Sequence, residues 1–281
     1  MVIFNTNRYS EHSGKGDVFM FAESSLKGVF FYFLRILVVL VAGMIYTLYT
    51  ESPWAQDVKS YTINRAAGAI TVDGKLDEPA WKNAVEVPLT ETNTGNNVPL
   101  RSTVRLLWDD TYLYVGYYCE DPDAWATIEK FDGPLWNEEV VEIFIDPEGK
   151  GHAYYELEVS PINNVVDLFV LNQGKEYKGQ MTGWFDWNFD HLKHAVYVEG
   201  DGKKESTKDK YWSVELAIPF EDIWLADTRP PHDGDMWRMN CYRIERGDSK
   251  NRNDDWYAAF NPTKRPSFHT PWEFGKFSFK K

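Results

Sequence analysis

From Tyr61 onward the chain is a succession of short apolar–polar runs separated by turn signals. Period-two alternation of this kind is the mark of half-buried strands. AITVDG (69–74) ends on an Asp73-Gly74 turn. TVRLLWD (103–109) and YLYVGYYCED (112–121) read as a hairpin across Asp109-Asp110. VVEIFIDP (140–147), YYELEVSP (154–161) and NVVDLFVLN (164–172) follow. AVYVEGDG (195–202) and YWSVELAIP (211–219) form another pair, and DMWRMNCYRIER (235–246) and FGKFSF (274–279) complete the set. LDEPAWKNA, with Pro79 near its start, and the segment after LAIPFEDIW read as short helices. About nine strands predict an all-β, antiparallel β-sandwich of jelly-roll type with one or two short helices.

Alternation also sorts side chains onto faces. Val141, Ile143 and Ile145 share one face of their strand, and Glu142, Phe144 and Asp146 share the other. On the next strand Tyr155, Leu157 and Val159 oppose Tyr154, Glu156 and Glu158. Neighbouring strands of this pattern put several carboxylates beside aromatic rings on one surface. Such a surface suits a sugar, whose C–H face stacks on rings and whose hydroxyls bind carboxylates through charge-assisted hydrogen bonds. The same pattern also describes a plain solvated outer face. Trp136, in FDGPLWNEE, and Trp256, in NRNDDWYAAFNP, tilt the reading towards binding. Both lie in loop-like composition, where recognition residues concentrate.

One segment is built differently. Residues 28–49 are apolar apart from Arg35, with Lys27 just before them. The run predicts an apolar helix acting either as a signal-peptide core cleaved near Ala55 or as an uncleaved signal anchor. Both readings export the rest. The chain therefore divides into an export or anchor region, 1–56, and a β-sandwich domain, 57–281. The membrane enters only through the N-terminal segment, and the expected location is extracytoplasmic: periplasmic, secreted or anchored.

Composition narrows the partners. The 281 residues include 12 Trp, 16 Tyr and 17 Phe, more rings than a core alone requires. The formal net charge of −13 argues against nucleic acid, which needs clustered Lys and Arg. Cys119 and Cys241 form no CxxC pair; two buried free thiols are favoured over one disulfide. No organic cofactor is expected.

Several segments taken in order resemble family 9 carbohydrate-binding modules: ITVDGKLDEPAWKNA, LWDDTYLYVGYYCEDPD, LWNEEVVEIFIDPEG, YYELEVSPINNVVD, YWSVELAIPFEDI and FHTPWEFGKFSF. The resemblance implies a non-catalytic sandwich that grips a glycan chain end between two tryptophans, in extracytoplasmic use of poly- or oligosaccharides. Trp136 matches the first tryptophan and Trp256 is the candidate for the second. Glu142 matches an acidic position beside the site. Glu158 and Asn163 fall where the family contacts hydroxyls, and no arginine is read there. The family also binds structural calcium, for which Asp121 with Asp123, or Asp254 with Asp255, offer hard oxygen ligands. Three other functions stay open. Glu138, Glu142, Glu156 and Glu158 could supply a glycoside hydrolase's paired carboxylates. Met181, Met236, Met239, His191 and His194 could ligate haem. A sandwich that has lost its site is the third.

Overall fold

A computed structural model describes residues 57–172, 181–202, 208–247 and 252–281, with Ile36 and Leu37 of the N-terminal region. The apolar run 28–49 otherwise lies outside the described residues. Gln56–Lys281 forms one unit by itself.

Fourteen strands build this unit: β1 Ser60–Arg65, β2 Val87–Pro88, β3 Thr90–Glu91, β4 Ser102–Trp108, β5 Tyr112–Glu120, β6 Val140–Asp146, β7 Ala153–Val159, β8 Val165–Asn172, β9 Met181–Trp184, β10 Lys193–Glu199, β11 Tyr211–Pro219, β12 Met236–Glu245, β13 Trp256–Ala259 and β14 Gly275–Lys280. They belong to one hydrogen-bonded sheet, eleven of them in the order β10-β11-β5-β4-β1-β14-β12-β6-β7-β8-β9, with β2 paired to β4, β13 to β12 and β3 to β13. The sheet curls so that its two halves share a core. Leu106, Val115 and Trp212 from one half pack in the same cluster as Ile143, Leu157 and Cys241 from the other.

The β4–β5 hairpin forms where the Asp109-Asp110 turn places it. The Asp109 carboxylate accepts the backbone N–H groups of Thr111 and Tyr112 at 2.7 and 2.8 Å, so the turn satisfies its own donors. The expected short helices are 3-10 turns at Pro79–Asn83 and Phe220–Asp222.

Two expectations change. The sheet is not wholly antiparallel: β1 runs parallel to both β14 and β4. A parallel pair needs a long crossover, and here nearly the whole unit lies between β1 and β14. AITVDG is not a strand. Its turn docks on Glu215, whose Oε2 accepts the N–H groups of Asp73 and Gly74 at 2.8 Å each. Gly74 sits at φ +90°, where a Cβ would strike the Val196–Tyr197 backbone. Cys119 and Cys241 are buried, unlinked thiols.

Strands β6 and β7 are buried on both faces. Their second face meets a separate cluster that includes Leu135, Tyr154, Leu168, Tyr242, Ile244 and Phe274. The carboxylate-bearing face is therefore no solvated exterior.

Candidate functional site

Register brings three glutamates together on this second face. Glu142 of β6 pairs directly with Glu158 of β7, and Glu156 lies two residues along the same strand. Side chains two apart share a face. Oxygens of the three carboxylates all fall within 4.8 Å of one another. The residues are only 2%, 5% and 1% exposed for Glu142, Glu156 and Glu158. Glu142 Oε1, Glu156 Oε2 and Glu158 Oε2 accept no hydrogen bond from a neighbouring N–H or hydroxyl group, while the Glu156 and Glu158 carboxyls hydrogen-bond each other.

Three such groups cannot all ionise cheaply in one desolvated place. Burial holds the Glu142 and Glu158 carboxyls well above the usual carboxylate range, and their acidic neighbours add to it. Burial pushes Glu156 up to about 8. His269, whose Nδ1 is 2.8 Å from the Tyr154 hydroxyl and 3.7 Å from Glu156 Oε2, is lowered to about 4 by burial. It is neutral near pH 7 and gives the carboxylates no charge.

These glutamates line a cleft of about 580 Å³. Trp136, Phe185, Tyr257 and Phe268 contribute aromatic wall, while Thr92, Asn93 and Ser267 bring polar groups. Trp136 stands in the 3-10 turn Leu135–Asn137 just before β6 and is 38% exposed. Its ring centroid is 6.4 Å from that of Phe185. Buried Leu135 anchors the turn in the second core cluster. The Glu138 carboxylate ties the turn to the preceding segment by accepting the N–H groups of Thr127 and Ile128 at 2.6 and 3.0 Å. Phe268 stacks on Tyr242 at 4.1 Å, which fixes that wall.

An arginine is present after all. Arg246 follows β12 and lines the cleft. It pairs with Asp255 at 2.6 Å, donates to the Tyr257 hydroxyl at 2.6 Å and to the Trp136 carbonyl, and keeps Nε without a partner. The signal was available in RIER: Ile244 and Arg246 are two apart and both line the cleft, whereas Arg243 and Glu245 take the opposite face. Tyr257, Phe185, Phe268 and His269 were not singled out from sequence.

The remaining sequence candidates lie elsewhere. Trp256 is not among the residues lining the cleft. It packs against the main core with the Arg243 guanidinium 4.9 Å over its ring, while the next residue, Tyr257, faces the cleft. Asn163 occupies the β7–β8 turn at φ +63°, its Oδ1 2.8 Å from His194 Nδ1. Of the methionines and histidines considered for haem, only Met181 lines the cleft. Met239 is core, Met236 is exposed, and His191 faces Glu221 at 3.0 Å.

Asp121 joins a second carboxylate cluster with Glu139 and Glu245. Fully buried Arg243 enters it, pairing with Asp121 at 2.9 Å and with Glu245. Asp121 also accepts Trp212 Nε1–H at 3.1 Å and the Asp123 N–H at 2.9 Å. A calcium ion needs six to eight oxygen ligands, and the Asp121 oxygens are already engaged by the protein's own donors. Of the second pair considered, Asp254 and Asp255, the latter pairs with Arg246.

Comparison with known proteins places this arrangement. The model of the "Carbohydrate family 9 binding domain-like" family matches residues 72–281. An "Extracellular protein" of Arthroderma benhamiae is 28% identical over 185 residues, covering 64% of this chain and 78% of that protein. "Endo-1,4-beta-xylanase C" of Paenibacillus barcinonensis is 37% identical over 169 residues, covering 58% of this chain but only 12% of the xylanase. A family 9 carbohydrate-binding module from Caldicellulosiruptor kristjanssonii, solved with cellotriose, superposes with a TM-score of 0.52 at 16% identity. That match covers 79% of this chain and 94% of the module, and it shows a shared fold.

Proposed function

Since the chain belongs to the Carbohydrate family 9 binding domain-like family, we propose that it is a non-catalytic module whose cleft receives a terminal sugar ring of an oligo- or polysaccharide. The observation that carries this reading is the cleft itself. An aromatic wall stands over a floor of buried carboxylates, each with an orphaned oxygen. A sugar ring presents both complements, an apolar face and a belt of hydroxyl donors.

The ring stacks on Trp136 with Tyr257 and Phe185 beside it, and its hydroxyls reach Glu142 and Glu158. Arg246 Nε–H meets an acceptor oxygen of the same sugar. The module named with cellotriose and the xylanase that carries a similar region support a glycan as the ligand class. The three glutamates share one environment that raises all of them together. A hydrolase needs its acid and base pushed apart, so binding is favoured over turnover. The apolar run at 28–49 and the Arthroderma relative's name support an extracytoplasmic place of action.

Titration calorimetry of the full-length chain against a glycan panel tests the reading. Trp136→Ala should weaken binding about tenfold, as expected for one stacked ring. Trp256→Ala should leave affinity within about twofold. Failure to bind any glycan, or affinity indifferent to Trp136→Ala, overturns it.

A further inference from the structure

The proposed sugar site carries more negative chemistry than a neutral sugar requires. Its floor holds three carboxylates, Glu142, Glu156 and Glu158, each at least nine-tenths buried and each with an orphaned oxygen. The guanidinium in the lining, Arg246, is already paired with Asp255. His269 has its Nδ1 against the Tyr154 hydroxyl and lies beyond hydrogen-bond distance of Glu156. Buried acceptors left without donors are costly, so a cluster of three beside a cavity calls for a ligand that supplies donors and positive charge.

A primary ammonium group matches this count. It carries one positive charge and three N–H donors on a single atom. Each of the three residues carries one orphaned oxygen, and the three carboxylates approach within 4.8 Å of one another. A bare divalent cation would also suit the carboxylates, but it would leave the ring-walled volume without a role. An amine borne on a sugar ring uses both parts, and the ring's own oxygens then offer acceptors to the unpartnered Arg246 Nε–H. Resting on the sugar reading above, we infer that the cleft is selective for a glycan end bearing a free amino group, a 2-amino-2-deoxy sugar, with the ammonium seated among Glu142, Glu156 and Glu158.

Burial keeps these carboxyls protonated well above the usual range. An ammonium seated there therefore displaces protons into solvent, whereas a neutral ring does not. The test is calorimetry of the full-length chain near pH 6 in two buffers of different ionisation enthalpy. The probes are the glucosamine trimer, the N-acetylglucosamine trimer, cellotriose, and calcium chloride alone.

The glucosamine trimer should bind roughly tenfold or more tightly than the other two trimers, with net proton release seen for it alone. Glu158→Gln, which keeps size and shape, should erase both the preference and the release, while cellotriose binding weakens by no more than about tenfold, the loss of one charge-assisted hydrogen bond. Glu156→Gln serves the same purpose if the first variant does not fold, and the wild-type comparison stands without either. Equal affinity for all three trimers, or a preference that survives the substitutions, overturns the inference and leaves sugar binding intact. Calcium binding that Glu158→Gln abolishes overturns it in favour of a cation site. No binding of any trimer defeats this inference and the sugar reading together.

Discussion

Two clusters of three buried carboxylates, one at the ends of β5, β6 and β12 and one within β6 and β7, are finished differently. Asp121, Glu139 and Glu245 surround Arg243, which also donates to the Ser102 hydroxyl and the Glu120 carbonyl at 2.9 Å each. Glu142, Glu156 and Glu158 open on a cleft instead, and the guanidinium there is engaged by Asp255, Tyr257 and the Trp136 carbonyl. The first cluster has its counter-charge built in. The second has orphaned oxygens lining the cleft. The contrast separates carboxylates neutralised within the fold from the carboxylates proposed above to meet a ligand, although both groups read alike as acidic residues on or beside strands.

The largest effect expected from this contrast comes from taking the counter-charge out. Arg243→Met should destabilise the unit by about 3–5 kcal/mol, because it leaves buried acids unpaired. Equilibrium urea unfolding checks this, and a loss below about 1 kcal/mol would break the comparison. Trp256→Ala removes the ring beneath the same guanidinium along with part of its packing on the core. It should cost about 2 kcal/mol, less than a fully buried tryptophan. Trp136→Ala, at a half-exposed ring, should move the unfolding midpoint little while weakening the ligand. Equal stability losses in the two tryptophan variants would erase the distinction between them.

Much of the scaffold was legible in the sequence because alternation reports it directly. The β4–β5 hairpin, the run of β6, β7 and β8, and the shared face of Glu142, Glu156 and Glu158 follow from period two and one turn signal. Closure of that face was not legible. Phe268, His269 and Phe274 cover it from more than 100 residues downstream, and no local pattern encodes so distant a contact. Trp256 misled for a related reason. Polar neighbours made DDWYAAF look like a loop, yet β13 pairs with β12 and alternation sends Trp256 and Tyr257 to opposite faces. AITVDG carried strand composition but found its hydrogen bonds on the Glu215 carboxylate, 141 residues from Gly74. Arg246 was readable from the spacing in RIER once β12 was known to border β6.

The smallest effect is a pH slope, and it tests the uncompensated cluster without any ligand. The Glu156 carboxyl is held up to about 8 against an ordinary 4.5, chiefly by burial. Between those values the folded chain keeps a proton that the unfolded chain has released. The unfolded state then binds fewer protons, so stability falls as pH rises through this window and is fully present only below its lower edge. Glu245, held up to about 7, adds a decline of the same sign, so the wild-type slope alone does not identify its source. The difference between wild type and Glu156→Gln does. Glutamine resembles the protonated acid in shape and cannot ionise, so the two chains should match near pH 4.5. By pH 8 the variant should be the more stable by about 1 kcal/mol or more. The contrast with Arg243→Met is then one of sign: removing a group from the compensated cluster costs stability, and neutralising one in the cleft gains it. Parallel pH–stability curves for wild type and Glu156→Gln would show that the cleft carboxylates already have their charge balanced within the protein.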